Sequence, residues 1–233
     1  MINGERILGI IPARGGSKGI LRKNIRLLAG KPLLSWTIEE AKKSKYIDRM
    51  VLSSENKEIM EVAKKYGCEV PFIRPKELAL DESSSVEVVL HCLHHLDEYD
   101  WFILLQPTSP FRLANDIDQC IEYCIKKNAN SCVSVTETEK SPFWMYCMDE
   151  EAKLKNIIDS NQTAVRRQDL PKVYSLNGAI YLARCKWFQE KKSLLSSETV
   201  GFPMPKERSL DIDTEWDFSL ATVIKAAQNF EKE

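Results

Sequence analysis

A glycine-rich and basic loop follows the first apolar run of the sequence. Residues 12–19 read PARGGSKG, and Lys23 and Asn24 come shortly afterwards. Glycines allow the backbone to approach a ligand closely and to turn its N–H groups towards it. Four side chains of the segment add positive charge or a hydroxyl donor: Arg14, Ser17, Lys18 and Lys23. The loop has neither Walker A spacing nor the dinucleotide fingerprint. Its composition predicts a triphosphate site rather than a mobile surface loop.

A proline-stiffened segment with neutral polar side chains follows another apolar run. Residues 105–110 read LQPTSP, in which Gln106 and Thr108 offer hydrogen-bonding groups without charge. That chemistry suits a nucleobase or a sugar hydroxyl better than a phosphate. Taken alone, the segment fits a rigid turn without a ligand equally well.

An Asp-x-Asp pair lies near the end of the chain, at Asp211 and Asp213. Alternate residues of an extended segment point to the same side, so both carboxylates could face one cation. Mg²⁺ commonly binds through one or two carboxylates together with substrate phosphates. Such a pair alone is usually a loop feature. Beside a triphosphate loop, it predicts a Mg²⁺ site.

Two weaker candidates for functional sites each have a simpler interpretation. All the histidines lie within residues 91–95, where His91 and His95 would share one face of a helix. A zinc site is possible there, but no further ligand is evident nearby, and we expect packing and surface roles. The Arg166–Arg167 pair could bind an anion or be a solvated charge pair, and the residues leave both open.

The elements that must position these residues alternate along the chain. Strands are predicted at residues 7–11, 50–53, 69–72, 101–105, 131–136 and 174–183. Helices are predicted at residues 34–43, 58–66, 86–96, 115–127 and from 215 onwards. Ser84 and Glu87 form a capping-box pattern at the start of the third helix. This alternation predicts an α/β fold, a doubly wound and mostly parallel sheet with helices on both faces. Both polar loops then lie beyond the carboxyl ends of strands, where such sheets bind ligands.

The alternation is interrupted after Glu137. Residues 143–158 alternate loosely around an acidic break and resemble a pair of strands joined by a turn. We therefore predict a single domain, residues 1–233, with an inserted segment at about residues 138–172 that leaves the main sheet.

The composition bears on the size of the core, on the partners of the protein and on its compartment. Of 233 residues, 43% are hydrophobic, which is enough for a sizeable core. The 33 Lys and Arg against 34 Asp and Glu leave a net charge of −1, which argues against nucleic acid as a partner. Seven dispersed cysteines without a C-x-x-C pair favour free thiols in a reducing compartment. There is no long apolar run and no signal-peptide pattern, so we expect a cytoplasmic protein with no membrane partner.

Five motifs in order give the chain a family resemblance. They are IPARGGSKGILRKN near the start, IRPKELA at 73–79, LLQPTSPFR at 104–112, RRQDLP before LNGAIY, and SLDIDTEWD at 209–217. Together they resemble the acylneuraminate cytidylyltransferases, also called CMP-nonulosonate or CMP-sialic acid synthetases. The resemblance runs over nearly the whole chain.

The resemblance implies a Rossmann-like domain and a homodimer whose inserted segment reaches the neighbour's active site. It assigns nucleotide-phosphate contacts to Arg14, Ser17, Lys18, Lys23 and Asn24. Contacts around the cytosine, ribose and sugar fall to Arg74, Ser85 and Gln106, with Thr108 and Asn177 as further substrate-binding candidates. The metal pair matches Asp211 and Asp213, and Arg167 matches an arginine supplied by the partner subunit.

The implied reaction transfers CMP from CTP to a nine-carbon keto-acid sugar. The anomeric hydroxyl of the sugar attacks the α-phosphorus and pyrophosphate leaves, with Mg²⁺ on Asp213 and on Asp211 directly or through water. Arg14, Lys18 and Lys23 would stabilise the leaving group. No side chain marks itself as general base, and a metal-bound hydroxide or an aspartate could serve.

Two departures from the sialic-acid-specific pattern concern the sugar. The chain reads Ser141-Pro142-Phe143-Trp144 where those members often have a lysine, and Ser175 where they have an arginine. The SPFW segment looks more like that of enzymes for legionaminic acid, so N,N'-diacetyllegionaminate or N-acetylneuraminate is the expected substrate. The alternatives are a 3-deoxy-manno-octulosonate cytidylyltransferase and, from another class, a non-catalytic CTP-binding regulator.

Overall fold

The polypeptide folds around a central sheet with two small strand pairs beside it. The computed structural model describes residues 1–96, 98–158, 166 and 169–230. The strands are β1 (Ile7–Pro12), β2 (Leu27–Leu28), β3 (Lys31–Pro32), β4 (Arg49–Ser53), β5 (Trp101–Leu105), β6 (Ser131–Glu137), β7 (Tyr146–Met148), β8 (Leu154–Asn156), β9 (Tyr174–Arg184) and β10 (Val200–Pro203). The helices are α1 (Leu33–Lys43), α2 (Lys57–Lys65), α3 (Ser85–His95), α4 (Ala114–Lys126), α5 (Cys185–Lys191) and α6 (Glu215–Phe230).

The central sheet has six strands in the order β10-β6-β9-β5-β1-β4. The pairings β1–β4, β1–β5 and β6–β10 are parallel, whereas β9 runs antiparallel to both of its neighbours. The mostly parallel sheet predicted from the sequence is confirmed, with β9 as the reversed strand. β1, β4, β5 and β6 therefore end at the same edge of the sheet, and β9 begins there.

Helices cover both faces of the sheet because the side chains of its buried strands alternate between two apolar cores. Ile7 and Ile11 of β1 pack with α1, α2 and α4, whereas Leu8 and Ile10 pack with α3 and α5. All four side chains are fully buried. This is the arrangement expected of a strand that is buried on both faces. It confirms the doubly wound, Rossmann-like architecture.

Helix boundaries follow local capping chemistry. α3 begins with a capping box, in which the Ser84 hydroxyl accepts from the Glu87 N–H at 3.2 Å and the Glu87 carboxylate accepts from the Ser84 N–H at 3.3 Å. α2 is capped by Asn56, whose side chain accepts from the Ile59 N–H at 3.2 Å. No helix in the described ranges is long and apolar enough to cross a membrane.

A third apolar cluster holds α6 over the loops at the carboxyl edge of the sheet. It joins Phe218 and Ala221 of α6 to Ile20, Phe111 and Ile212. These last three residues belong to the segments in which the sequence predicted chemistry. The cluster thus packs the glycine-rich loop, the 105–110 segment and the Asp-x-Asp pair against one helix.

Two predictions about strands need correction. Residues 69–72 were expected to form a strand, but Glu69 makes only an isolated bridge to Val51. Pro71 has no N–H to continue a ladder, so the pairing stops there. β10 was not predicted, because its four residues include a glycine and a proline, which are depleted in strands.

The inserted segment contains the strand pair that the sequence predicts. β7 and β8 pair in antiparallel register and form a two-stranded sheet separate from the central one. Asp149 organises the turn between them by accepting from the backbone N–H groups of Glu151 and Lys153 at 3.1 and 3.0 Å.

Candidate active site

A cavity of about 460 Å³ lies beyond the carboxyl ends of β1 and β5. It is bordered by the glycine-rich loop, the start of α3, the 105–110 segment and the Asp-x-Asp segment. The sequence-predicted residues that line it are Arg14, Ser17, Lys18, Lys23, Asn24, Arg74, Ser85, Gln106, Thr108 and Asp213. Segments far apart in the chain thus meet at the edge of the sheet where an α/β fold binds ligands.

Two glycines of the loop are fixed by close neighbours. A Cβ on Gly15 would lie 2.6 Å from the Asn56 Nδ2 atom, and one on Gly19 would overlap the carbonyl oxygen of Asp213. The buried Asn24 holds the loop from inside, because its amide donates to the Arg14 carbonyl at 2.9 Å. The loop is therefore packed in a defined conformation rather than projecting freely into solvent.

The two outer cations of the loop share one carboxylate, which the sequence did not single out. Asp81 lies 2.7 Å from an Arg14 guanidinium nitrogen and 2.8 Å from the Lys18 Nζ atom. Arg14 also donates to the Leu80 carbonyl at 2.7 Å. The hydrogen bond from Lys18 is the main cause that lowers the pKa of Asp81. Asp81 thus pairs with two of the cations for which the sequence predicted phosphate contacts.

Lys23 connects the glycine-rich loop to the Asp-x-Asp segment. Its ammonium donates to the Ile212 carbonyl at 2.8 Å and to the Asp213 carboxylate at 3.1 Å. The Lys23 side chain is 14% exposed, whereas that of Asp213 is 72% exposed. A largely buried cation is therefore held at the cavity wall beside an accessible carboxylate.

Arg74 is the most deeply buried cation of the cavity. It is 4% exposed, and its guanidinium donates to the Glu55 carboxylate at 3.1 Å. Burial lowers its pKa, and the nearby Glu55 charge partly offsets that effect.

A buried arginine organises the 105–110 segment from behind. The Arg112 guanidinium donates to the Ala179 carbonyl at 2.7 Å, to the Thr37 hydroxyl at 2.7 Å and to the Gln106 carbonyl at 3.3 Å. Complete burial lowers its pKa to about 10. Arg112 therefore fixes the backbone at Gln106 while the Gln106 side chain borders the cavity. The sequence placed Arg112 in a motif but gave it no role.

Asp211 lies beneath Asp213 and is partly buried. Its Oδ1 atom is buried and has no hydrogen-bond partner among the described residues. Burial is the largest cause that raises the pKa of Asp211. The neighbouring Asp213 acts in the same direction, whereas Thr108 and Lys23 oppose it. Although Asp211 does not border the cavity, it contributes negative charge next to an exposed carboxylate that does.

Gly178 makes room for Asp211 and Gln106 to approach each other. It has φ +70°, and a Cβ there would lie 3.1 Å from the Asp211 Oδ2 atom and 3.4 Å from the Gln106 Oε1 atom. It lies in a bulge of β9, where the register with β6 shifts between Val133 and Val135. Bulges commonly re-aim side chains beside functional sites.

The structure places Asn177 in that bulge and not at the cavity wall. It is 4% exposed, and its side chain exchanges hydrogen bonds with the Ser134 hydroxyl at 2.6 Å, the Ala179 N–H at 3.2 Å and the Ser209 hydroxyl at 2.9 Å. Ser175 borders a second cavity, of about 580 Å³, between the start of β9 and α6. Arg167 lies outside the described residues.

The histidines pack together on α3. The ring centroids of His91 and His95 are 4.4 Å apart, and each lies 5.0 Å from the Phe72 ring. The His95 Nδ1 atom lies 2.9 Å from the His91 carbonyl oxygen. No group of three or more His, Cys, Asp or Glu suited to a metal occurs within the ranges that the structure describes. Packing, the role expected from the sequence, accounts for these contacts.

Comparison with known proteins identifies the class. The family model of cytidylyltransferases matches residues 8–221. The chain belongs to the cytidylyltransferase family.

Three of the curated relatives are named for related activities. The chain is 38% identical to a CMP-N,N'-diacetyllegionaminic acid synthase of Legionella pneumophila over 92% of this chain and 94% of that protein. It is 36% identical to a pseudaminic acid cytidylyltransferase of Campylobacter jejuni over 93% and 95%. It is 35% identical to an N-acylneuraminate cytidylyltransferase of Escherichia coli over 97% of this chain and 54% of that protein. The chain thus spans about half the length of that last relative.

Solved structures support the fold. A CMP:2-keto-3-deoxy-manno-octonic acid synthetase complexed with CTP superposes with a TM-score of 0.73 at 15% identity, covering 96% of this chain and 99% of that one. A 4-diphosphocytidyl-2C-methyl-D-erythritol synthase from Anaerococcus prevotii superposes with a TM-score of 0.69 at 15% identity, covering 97% and 98%. At such identities, the likeness concerns the fold.

Proposed function

We propose that the protein transfers CMP from CTP to a nonulosonic acid and releases pyrophosphate. The observation that carries this proposal is the cavity lined by Arg14, Lys18, Lys23 and Arg74, with the Asp213 carboxylate 3.1 Å from the Lys23 ammonium. Arg and Lys side chains form charge-assisted hydrogen bonds with phosphate oxygens. The activities named for the curated relatives support the same transfer.

The residues of the cavity divide the work by their chemistry. The anomeric hydroxyl of the sugar attacks the α-phosphorus of CTP, and the bond from that phosphorus to the pyrophosphate oxygen breaks. Arg14 and Lys18 exchange Asp81 for phosphate oxygens, and Lys23 supports charge that develops on the leaving group. Preorganised cations of this kind often supply the largest electrostatic contribution to such catalysis. Gln106 and Ser85 offer neutral hydrogen bonds to the nucleoside or the sugar.

The Asp-x-Asp segment fits a Mg²⁺ ion. Asp211 supplies a buried oxygen that has no hydrogen-bond partner within the described part of the chain, and Asp213 supplies an accessible carboxylate. Mg²⁺ needs only one or two carboxylates when phosphates complete its shell. Bound there, the ion would neutralise phosphate charge. We expect Asp213→Asn to lose Mg²⁺-dependent turnover and to weaken Mg²⁺ binding to the CTP complex in calorimetry. Glu215→Gln makes the same change at an exposed ion pair with Arg26 and should leave both intact. Normal turnover of Asp213→Asn at low Mg²⁺ would place the ligand elsewhere.

The preferred sugar is proposed to be N,N'-diacetyllegionaminate. A less polar sugar needs fewer charged donors, and Ser175 stands where sialic-acid-specific enzymes carry a cation. Trp144 is 40% exposed on the inserted segment and borders neither of the two cavities described above. The support therefore comes from Ser175 and from the legionaminic acid relative rather than from Trp144.

A pyrophosphate-release assay tests the function and the sugar together. CTP is supplied with N,N'-diacetyllegionaminate, N-acetylneuraminate, pseudaminate or 3-deoxy-manno-octulosonate, and kcat/KM is compared. We expect the legionaminate to lead N-acetylneuraminate by roughly tenfold, since a hydroxyl buried without a partner costs about 1–3 kcal/mol. Equal values for these two, or a lead for N-acetylneuraminate, would refute the sugar assignment. A lead for the octulosonate would favour the alternative enzyme, and CTP binding without pyrophosphate release would indicate a regulator.

We also propose a homodimer with shared active sites. The inserted segment exposes large apolar side chains to solvent: Trp144, Met145, Tyr146, Met148, Leu154 and Ile157. Contiguous exposed apolar surface commonly marks an interface. A second copy of the chain is the partner implied by the family resemblance.

A further inference from the structure

Glu55 joins two parts of the cavity without bordering it. One carboxylate oxygen accepts from the Gly15 N–H at 2.6 Å, and the other accepts from the Arg74 guanidinium at 3.1 Å. The Glu55 side chain is 15% exposed. Its two carboxylate oxygens are therefore turned towards the protein and bridge the glycine-rich loop to a cation nearly 60 residues away in the sequence.

The residues beside Glu55 make contacts to the same two partners. The Ser54 carbonyl accepts from the Arg74 N–H at 2.9 Å. Asn56 fills the space that a side chain on Gly15 would need. Residues 54–56 thus hold the loop on one side and Arg74 on the other. Glu55 alone contacts both through a single side chain.

The charge of Glu55 is what allows Arg74 to be buried. A guanidinium that is 4% exposed loses most of its hydration, and an unpaired charge in such a place is costly. The other guanidinium neighbour at the cavity, Arg14, repels Arg74 and lowers its pKa further. A neutral residue at position 55 would leave Arg74 without its carboxylate partner and free to turn away from the cavity.

We propose that Glu55 is a positioning residue for the nucleotide. It fixes the separation between the backbone of the phosphate-binding loop and Arg74, so that a bound nucleotide meets both at once. Glu55 acts through these partners and does not contact the substrate. The inference rests on the proposed function, because it assumes that the cavity binds CTP.

The primary test is Glu55→Gln. A side-chain amide offers one acceptor oxygen, so its NH₂ group must face one of the two donors. We expect the KM for CTP to rise and kcat/KM for CTP to fall by about 10- to 100-fold, as for a small displacement of a positioned group. The KM for the sugar should change by less than about twofold, because the sugar is not held by this bridge. A general loss of folding would not raise the KM for CTP while leaving the KM for the sugar nearly unchanged.

Glu58→Gln is the matched control. It makes the same chemical change three residues away, at an exposed pair with Arg22 outside the cavity. Exposed pairs contribute about 0–1 kcal/mol, so we expect wild-type kinetics. A Glu55→Gln protein that binds CTP like Glu58→Gln would overturn the proposal.

Two further variants keep the test decisive if Glu55→Gln folds poorly. Glu55→Asp keeps the negative charge but is one methylene shorter, so it cannot reach both donors, and the KM for CTP should still rise. A wild-type KM for CTP in Glu55→Asp would overturn the bridge. Arg74→Lys alone and combined with Glu55→Asp completes a double-mutant cycle. The fold-loss in CTP affinity of the double variant should be smaller than the product of the fold-losses of the two single variants. A loss equal to that product would show that Glu55 and Arg74 act independently and would contradict the coupling.

The wild-type protein separates this inference from the function on which it depends. Calorimetry with CTP alone and the pyrophosphate assay are run first. If the wild type neither binds CTP nor releases pyrophosphate, the proposed function fails. If it does both and the Glu55 variants match it, only the positioning role fails.

Discussion

At the residue scale, the cavity is defined by carboxylates paired with cations. Asp81 pairs with Arg14 and Lys18, Glu55 with Arg74, and Asp213 with Lys23. Arg14, Lys18 and Lys23 were visible in the sequence because they belong to or closely follow a glycine-rich motif, and Arg74 was assigned through the family resemblance. Among these three carboxylates, only Asp213 was singled out from the sequence. Asp81 and Glu55 stand in ordinary surroundings, and their partners come close only through the fold.

Lys23 gives a direct test at this scale. We expect Lys23→Met to lower kcat by about 10²–10³ while the melting temperature changes little, because the side chain contacts the cavity wall rather than an apolar core. Arg22→Met removes the neighbouring cation, which pairs with Glu58 in solvent. It should keep near-normal turnover. Unchanged turnover of Lys23→Met at an unchanged melting temperature would remove Lys23 from the mechanism.

At the element scale, the apolar runs predicted the buried strands because a strand covered on both faces is apolar throughout. β1, β4, β5 and β6 were placed within a residue or two. The reversal of β9 could not be predicted, because an apolar run carries no direction. That reversal brings Ser175, Asn177 and Gly178 to the edge where the other strands end. The sequence marked Asn177 as a substrate contact, whereas its side chain in the structure is committed to the bulge.

The bulge in β9 gives a testable prediction for Gly178. Gly178→Ala should cost about 1–2 kcal/mol of stability, because φ is positive. It should also lower kcat/KM by roughly tenfold, because the new Cβ crowds the Asp211 carboxylate oxygen 3.1 Å away. Gly30→Ala carries the same backbone penalty at φ +81° with nothing within 4 Å. Thermal melts should show similar losses, and kinetics should separate the two variants. Equal kinetics would mean that the close approach at Gly178 does not matter for activity.

At the scale of the whole molecule, subunit mixing tests the proposal that two copies of the chain share their active sites. We expect Lys23→Met and Arg167→Ala to be inactive alone. In a heterodimer, the intact cavity of one chain and Arg167 of the other form one working site. Random exchange of equal amounts should then restore about a quarter of wild-type activity, since half the dimers carry one good site.

The control for subunit mixing uses two changes in the same cavity. Lys23→Met mixed with Asp213→Asn leaves every cavity damaged, so no activity should return. Confirmed exchange without rescue in the first mixture would show that each site is built from one chain.

The shared carboxylate Asp81 has a consequence for the response to ionic strength. Because Asp81 already pairs with both Arg14 and Lys18, CTP binding exchanges one anion for another instead of filling a bare positive cleft. Salt screens the ion pairs before and after binding, so its effects partly cancel. We expect the Kd for CTP to change only weakly with KCl concentration in the wild type and more steeply, from a tighter low-salt value, in Asp81→Asn. Parallel salt slopes for the two proteins would contradict this exchange. A flat slope in the wild type means that nucleotide capture keeps its strength as the ionic surroundings vary.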